Sequence, residues 1–145
     1  MVTTFRELRV YQEAFRAART IYHLSAEWPK EERYALTDQI RRSSRSVNAN
    51  IAEAWRKRRY RKHFISKLSD ADAEAAETRA WLDFAVDYAY ITDDTYAELD
   101  GTYDQIQAGL VAMMRDANRW CGPEKNVREE MPTYFADDTF PLSRK

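Results

Sequence analysis

Residues 64–89 read FISKLSDADAEAAETRAWLDFAVDYA, and this stretch decides the fold. Phe64, Leu68, Ala71, Ala75, Thr78, Leu82, Ala85 and Ala89 recur alternately four and three apart from end to end. That spacing holds one stripe on one side of an α-helix. A strand, whose side chains change face at every residue, has no use for it. Kept up over several heptads, the 3.5-residue repeat also calls for partner helices crossing at about 20°.

Suitable partners lie on either side. Downstream, Tyr96, Leu99, Tyr103, Ile106, Leu110, Met113, Ala117 and Trp120 repeat the pattern over residues 94–121. Thr92-Asp93-Asp94 supplies the turn and N-cap, and Gly122-Pro123 the stop. Upstream, Ile40, Ser44, Val47, Ile51 and Ala54 form the seam of a helix over residues 31–58. Small neighbours at Ser43, Ser46, Ala49 and Ala52 let another backbone approach closely. A first helix over residues 4–27 opens on Thr4-Phe5-Arg6-Glu7, a capping box, and carries Leu8, Tyr11, Phe15, Ala18 and Tyr22 as its stripe. Trp28-Pro29 breaks it, with Pro29 suited to the first turn of the second helix.

Short connections between four such segments predict an all-α, antiparallel up-down-up-down four-helix bundle over residues 1–122. Residues 123–145 hold Pro123, Pro132 and Pro141 without helical period and read as an irregular tail. Tyr134, Phe135 and Phe140 are the tail residues suited to docking on a neighbour. A chain of 145 residues fits one domain. With 44% hydrophobic residues it is too apolar for a disordered chain, although its mean hydropathy is -0.75. The single Cys121 excludes an internal disulfide and suits a reducing compartment. Neither a membrane-length apolar run nor a signal peptide is present, so the expectation is a cytoplasmic protein with no membrane contact.

The third helix, over residues 61–91, bears a second stripe, Trp81, Phe84 and Tyr88. It reads as a broadened core face, as a contact for the tail, or as an oligomer interface, where aromatics are enriched. Charge is segregated more sharply than the formal net of -1 suggests. Residues 41–67 hold ten Arg and Lys against Glu53 alone, a net of +9, whereas residues 70–104 hold eleven acids against Arg79, a net of -10. Arg41, Arg45 and Arg56 fall within about 60° of one another on a helical wheel. The run Arg56–Lys62 then crowds the second turn of the bundle, with Tyr60 and His63 interleaved. The guanidinium fork suits phosphate oxygens, so Arg41, Arg45, Arg56, Arg58, Arg59, Arg61 and Lys62 are the candidate nucleic-acid-binding residues. Pairing of the basic with the acidic segment is the competing account, each exposed pair contributing at most ~1 kcal/mol.

Catalytic signatures are missing. The residues three before His23 and His63 are Thr20 and Tyr60, so the Glu-x-x-His pairs of di-iron bundles fail. Cys121 has no CxxC partner, and three glycines build no phosphate loop. No catalytic residue, metal or cofactor is expected. Asn50 and Glu53, flanking Ile51, read as helix-to-helix hydrogen bonding.

Phe5-x-x-Leu8-x-Val10-Tyr11-Gln12, Trp28-Pro29-x-x-Glu32-x-Tyr34-x-Leu36, Gln39-Ile40-Arg41-Arg42, Asn50-Ile51-Ala52-Glu53, Phe64 and Leu68 occur in one order and spacing. Together they resemble the four-helix-bundle proteins encoded in intervening sequences of 23S rRNA genes, from about Phe5 to Trp120. The resemblance implies an up-down bundle assembled as a homopentameric ring. It extends to the accessory variability protein of diversity-generating retroelements, a basic ring that binds nucleic acid and a reverse transcriptase. Two positions depart from the family: Ala54 replaces a usual Gly and Asn48 a frequent Pro, both changes favouring helix. The expectation is a non-enzymatic homo-oligomer gripping RNA or DNA backbone through its Arg-rich end. The alternative is a protein–protein scaffold that recruits a partner such as a polymerase.

Overall fold

The seams of the last three long segments go inward as their spacing requires. In the computed structural model, which describes residues 1–123, the chain forms α1 (Arg9–Ser25), α2 (Asp38–Arg56), α3 (Arg61–Asp87), α4 (Asp93–Arg115) and a short α5 (Ala117–Cys121). No strand occurs among the described residues. Phe64, Leu68, Ala71, Ala75, Thr78, Leu82 and Ala85 of α3 are buried, and so are Ile40, Ser44, Val47, Ile51 and Ala54 of α2. Leu99, Tyr103, Ile106, Leu110 and Met113 of α4 meet them, with Ala117 of α5 beyond. Ala89 is the exception in its series: it is exposed at φ 62, so the chain has left the helix for the turn.

Polar contacts fix the pairing directions. Ser43 and Thr78 share a buried hydroxyl contact at 2.8 Å, Arg42 reaches Glu74 and Glu77, and Lys67 reaches Asn50 and Glu53. Early α2 therefore meets late α3, and late α2 meets early α3. Arg79 binds Asp100 while Gln107 binds Asp72, which sets α4 against α3 the same way. Asn48 donates to the Tyr11 carbonyl and Arg41 to that of Tyr22, so α1 opposes α2.

α1 corrects the sequence reading. Its buried hydrophobic residues are Val10, Ala14, Ala17 and Ile21, one position away from the expected stripe. Leu8 is buried, but Phe15 and Tyr22 stand about half exposed and Tyr11 and Ala18 are only partly covered. Two 3-4 series interleave on this helix, and periodicity does not choose between them. The inner one faces α4 closely at Val10: a Cβ on Gly109 would stand 2.6 Å from Val10 Cγ1.

Helix ends also differ from expectation. Phe5–Glu7 is a separate 3-10 turn, divided from α1 by extended Leu8. Thr4 accepts from the Arg6 N–H, and Glu7 reaches back chiefly to the N–H and hydroxyl of Thr3, one residue before the expected cap. Those two bonds hold the Glu7 carboxyl below its ordinary pKa. α2 starts at Asp38, after a 3-10 turn (Lys30–Glu32) and a π-helical turn (Arg33–Thr37). The fourth segment breaks at Asp116 before α5. Thr92 caps α4 as its sequence suggests, accepting from the Thr95 N–H at 3.1 Å. The expected tail lies almost wholly outside the described residues.

Candidate nucleic-acid interface

Among the described residues the turn between α2 and α3 is packed by rings and backbone hydrogen bonds rather than by charge pairs. Trp55, the last buried residue of α2, meets Trp120 of α5 edge-on at 6.0 Å. Arg58 lies over Trp55 with its guanidinium carbon 3.5 Å from the ring centroid, and its Nε donates to the Trp55 carbonyl at 2.8 Å. Burial of this group pushes its pKa below the usual arginine range. Arg61 donates to the Gly122 carbonyl at 2.8 Å. These two arginines are tied down, and they brace the turn against the end of α5.

Around them Arg56, Lys57, Arg59, Lys62 and His63 are exposed. Among the described residues none of the four Arg and Lys in that group has an ion-pair partner, and neither does Arg58 or Arg61. Pairing between basic and acidic segments exists, but it lies elsewhere. Arg42 takes Glu74 and Glu77, and Lys67 takes Glu53 and Asp70. Arg79, the one cation of the acidic segment, takes Asp100 and Asp104, which hold its guanidinium above its ordinary pKa. Asn50 and Glu53 serve as the helix-to-helix contacts expected of them, through Lys67.

The seven candidate residues do not make one patch. Arg41 and Arg45 stand fifteen and eleven residues before Arg56 on the same helix, about 22 and 16 Å away. Arg41 is engaged with Ser25 Oγ and the Tyr22 carbonyl, and both guanidiniums lie over the Tyr22 ring. They belong to the α1/α2 face, beside the outward-facing rings of Phe15 and Tyr22. Helical angle alone grouped them with the turn, since angle carries no information about distance along the axis. Among the described residues no cluster of His, Cys, Asp and Glu has a metal-holding arrangement, and no helix is long and apolar enough to cross a membrane.

Comparison with known proteins adds a lineage. A family model described as 23S rRNA-intervening sequence protein matches residues 6–112. The chain is similar to the crystal structure of a protein with unknown function from the S23 ribosomal protein family of Bacteroides thetaiotaomicron VPI-5482. The two share 31% identity over 73% of this chain and 95% of that one, with a TM-score of 0.66. No curated protein matches.

Proposed function

The chain belongs to the 23S rRNA-intervening sequence protein family, and on that premise we propose that it is a non-enzymatic homo-oligomer binding RNA or DNA backbone through the α2–α3 turn. One observation carries the reading. Arg56, Lys57, Arg59 and Lys62 crowd one exposed turn with no carboxylate against them among the described residues, while the neighbouring basic residues Arg42 and Lys67 are neutralised. Among the described residues this turn's charge is unpaired, and holding like charges together disfavours the compact state unless a polyanion shares them. Arg58 and Arg61 support the turn from behind. Arg41 and Arg45 lie outside it.

A titration with an RNA hairpin and a DNA duplex of equal length, across a salt series, tests the proposal. Affinity falls steeply with salt, and changing Arg56, Arg59 and Lys62 together to Glu abolishes it while helicity by circular dichroism is kept. Changing them to Gln lowers the log–log salt slope by about 3. Binding that is absent, or indifferent to salt, overturns it. The oligomeric part rests on the ladder of Trp81, Phe84 and Tyr88, with ring centroids 6.0 and 5.9 Å apart; Phe84 and Tyr88 are about half exposed, and Trp81 is partly buried against the core. Such a ladder also supports the scaffold reading, in which the assembly recruits a protein without touching nucleic acid. The family resemblance implies five copies, which solution mass measures directly.

A further inference from the structure

The α1/α2 face displaced from the core has the character of a binding surface. Phe15 and Tyr22 are 48% and 46% exposed. Arg19 lies 5.3 Å over the Phe15 ring, and Arg41 and Arg45 lie 4.6 and 5.8 Å over that of Tyr22. Phe15, Ala18, Arg19, Tyr22, Arg45 and Asn48 line an open groove of about 370 Å³. Asn48 Oδ1 is buried there without a hydrogen-bond partner among the described residues. None of Arg16, Arg19, Arg41 and Arg45 meets a carboxylate among the described residues.

The ladder on α3 has the opposite sign. It runs Trp81, Phe84, Tyr88 and on to Tyr90 at centroid steps of 6.0, 5.9 and 5.8 Å. Trp81 donates to Glu77 and Tyr90 to Glu32. Glu31 and Asp87 stand exposed at its end without a cation among the described residues.

We propose that the α3 ladder of one copy seats in the α1/α2 groove of a second copy, with Glu31 and Asp87 set against Arg19 and Arg45. This rests on the oligomeric reading above and names the other half of its contact. Each surface has the aromatic and arginine, or aromatic and acidic, character that its mate lacks, and neither mates with itself without opposing like charges. The contact is therefore head-to-tail, and repetition closes a ring or extends a filament. It covers both exposed aromatic faces at once. A nucleic-acid base in the groove would leave the ladder uncovered.

Light scattering after size exclusion reads the test against the 17.1 kDa of one chain. The wild-type protein runs as a multiple of that mass. The pair Arg19→Glu with Arg45→Glu, and the pair Glu31→Lys with Asp87→Lys, each reduce it to a single chain with helicity unchanged. All four changes in one chain restore assembly, and that chain does not mix with wild type. If the arginine pair leaves the mass intact while Phe84→Asp with Tyr88→Asp lowers it, the oligomer stands and this pairing falls. A monomeric wild type removes both. If the arginine pair weakens RNA binding at unchanged mass, the groove is a nucleic-acid platform and the proposal is overturned.

Discussion

Single residues show where the interior is balanced and where it is not. The Tyr103 hydroxyl is fully buried without a partner among the described residues, and burial pushes its phenol pKa up. Leaving a polar group unpaired in the core costs on the order of 1–3 kcal/mol. Tyr103→Phe therefore raises stability by about 1 kcal/mol, read as a higher urea midpoint at unchanged slope. Tyr90 and Tyr96 sit in the contrary situation. Each donates to a carboxylate, Glu32 at 2.7 Å and Asp83 at 2.6 Å, and each phenol is pushed up to about 12, first by that hydrogen bond and then by burial. A raised folded pKa means that the stabilisation is complete below pH 10 and lost as pH climbs from 10 through 12. Unfolding against pH shows that alkaline loss, and the double variant Tyr90→Phe, Tyr96→Phe flattens it over the same window.

At the scale of the element, α1 is the instructive case. Its sequence contains two equally periodic stripes, and periodicity alone does not choose between them. The choice falls to the neighbour: α4 offers Gly109 opposite Val10, so no bulkier side chain fits at that point. Ile21→Ala consequently costs about 2–5 kcal/mol, whereas Phe15→Ala costs about 1 kcal/mol or less despite removing more atoms. Denaturant midpoints of the two variants separate the inner stripe from the outer one. Gly109→Ala adds a methyl group where Val10 already stands and destabilises by about 1–3 kcal/mol, although alanine is the better helix former. The same midpoints measure it, and Val10→Ala in the same chain restores part of the loss. Elements whose two sides differ clearly, such as α2, were legible from spacing; α1 was not, because both of its sides carry hydrophobic residues.

At the scale of the molecule, the described residues divide their charge between ion pairs along the borders of α2, α3 and α4 and cations without a carboxylate on the α2–α3 turn and the α1/α2 face. Arg42, Lys67 and Arg79 hold the helices to one another through carboxylates, and the cations of the α2–α3 turn hold no carboxylate among the described residues. Changing Arg56, Arg59 and Lys62 to Gln therefore raises the urea midpoint at low ionic strength, by relieving mutual repulsion. The gain disappears near ~1 M salt, where screening reaches only about 3 Å. The all-α class, the core faces of three long helices, the cap at Thr92 and the basic turn were all present in the sequence, because each depends on residues within one or two helical turns of one another. Tertiary structure alone decided which stripe of α1 points inward, which arginines are engaged by neighbours, and that Arg41 and Arg45 part company with Arg56. These depend on what stands across the interface and how far along the axis, and a one-dimensional pattern records neither.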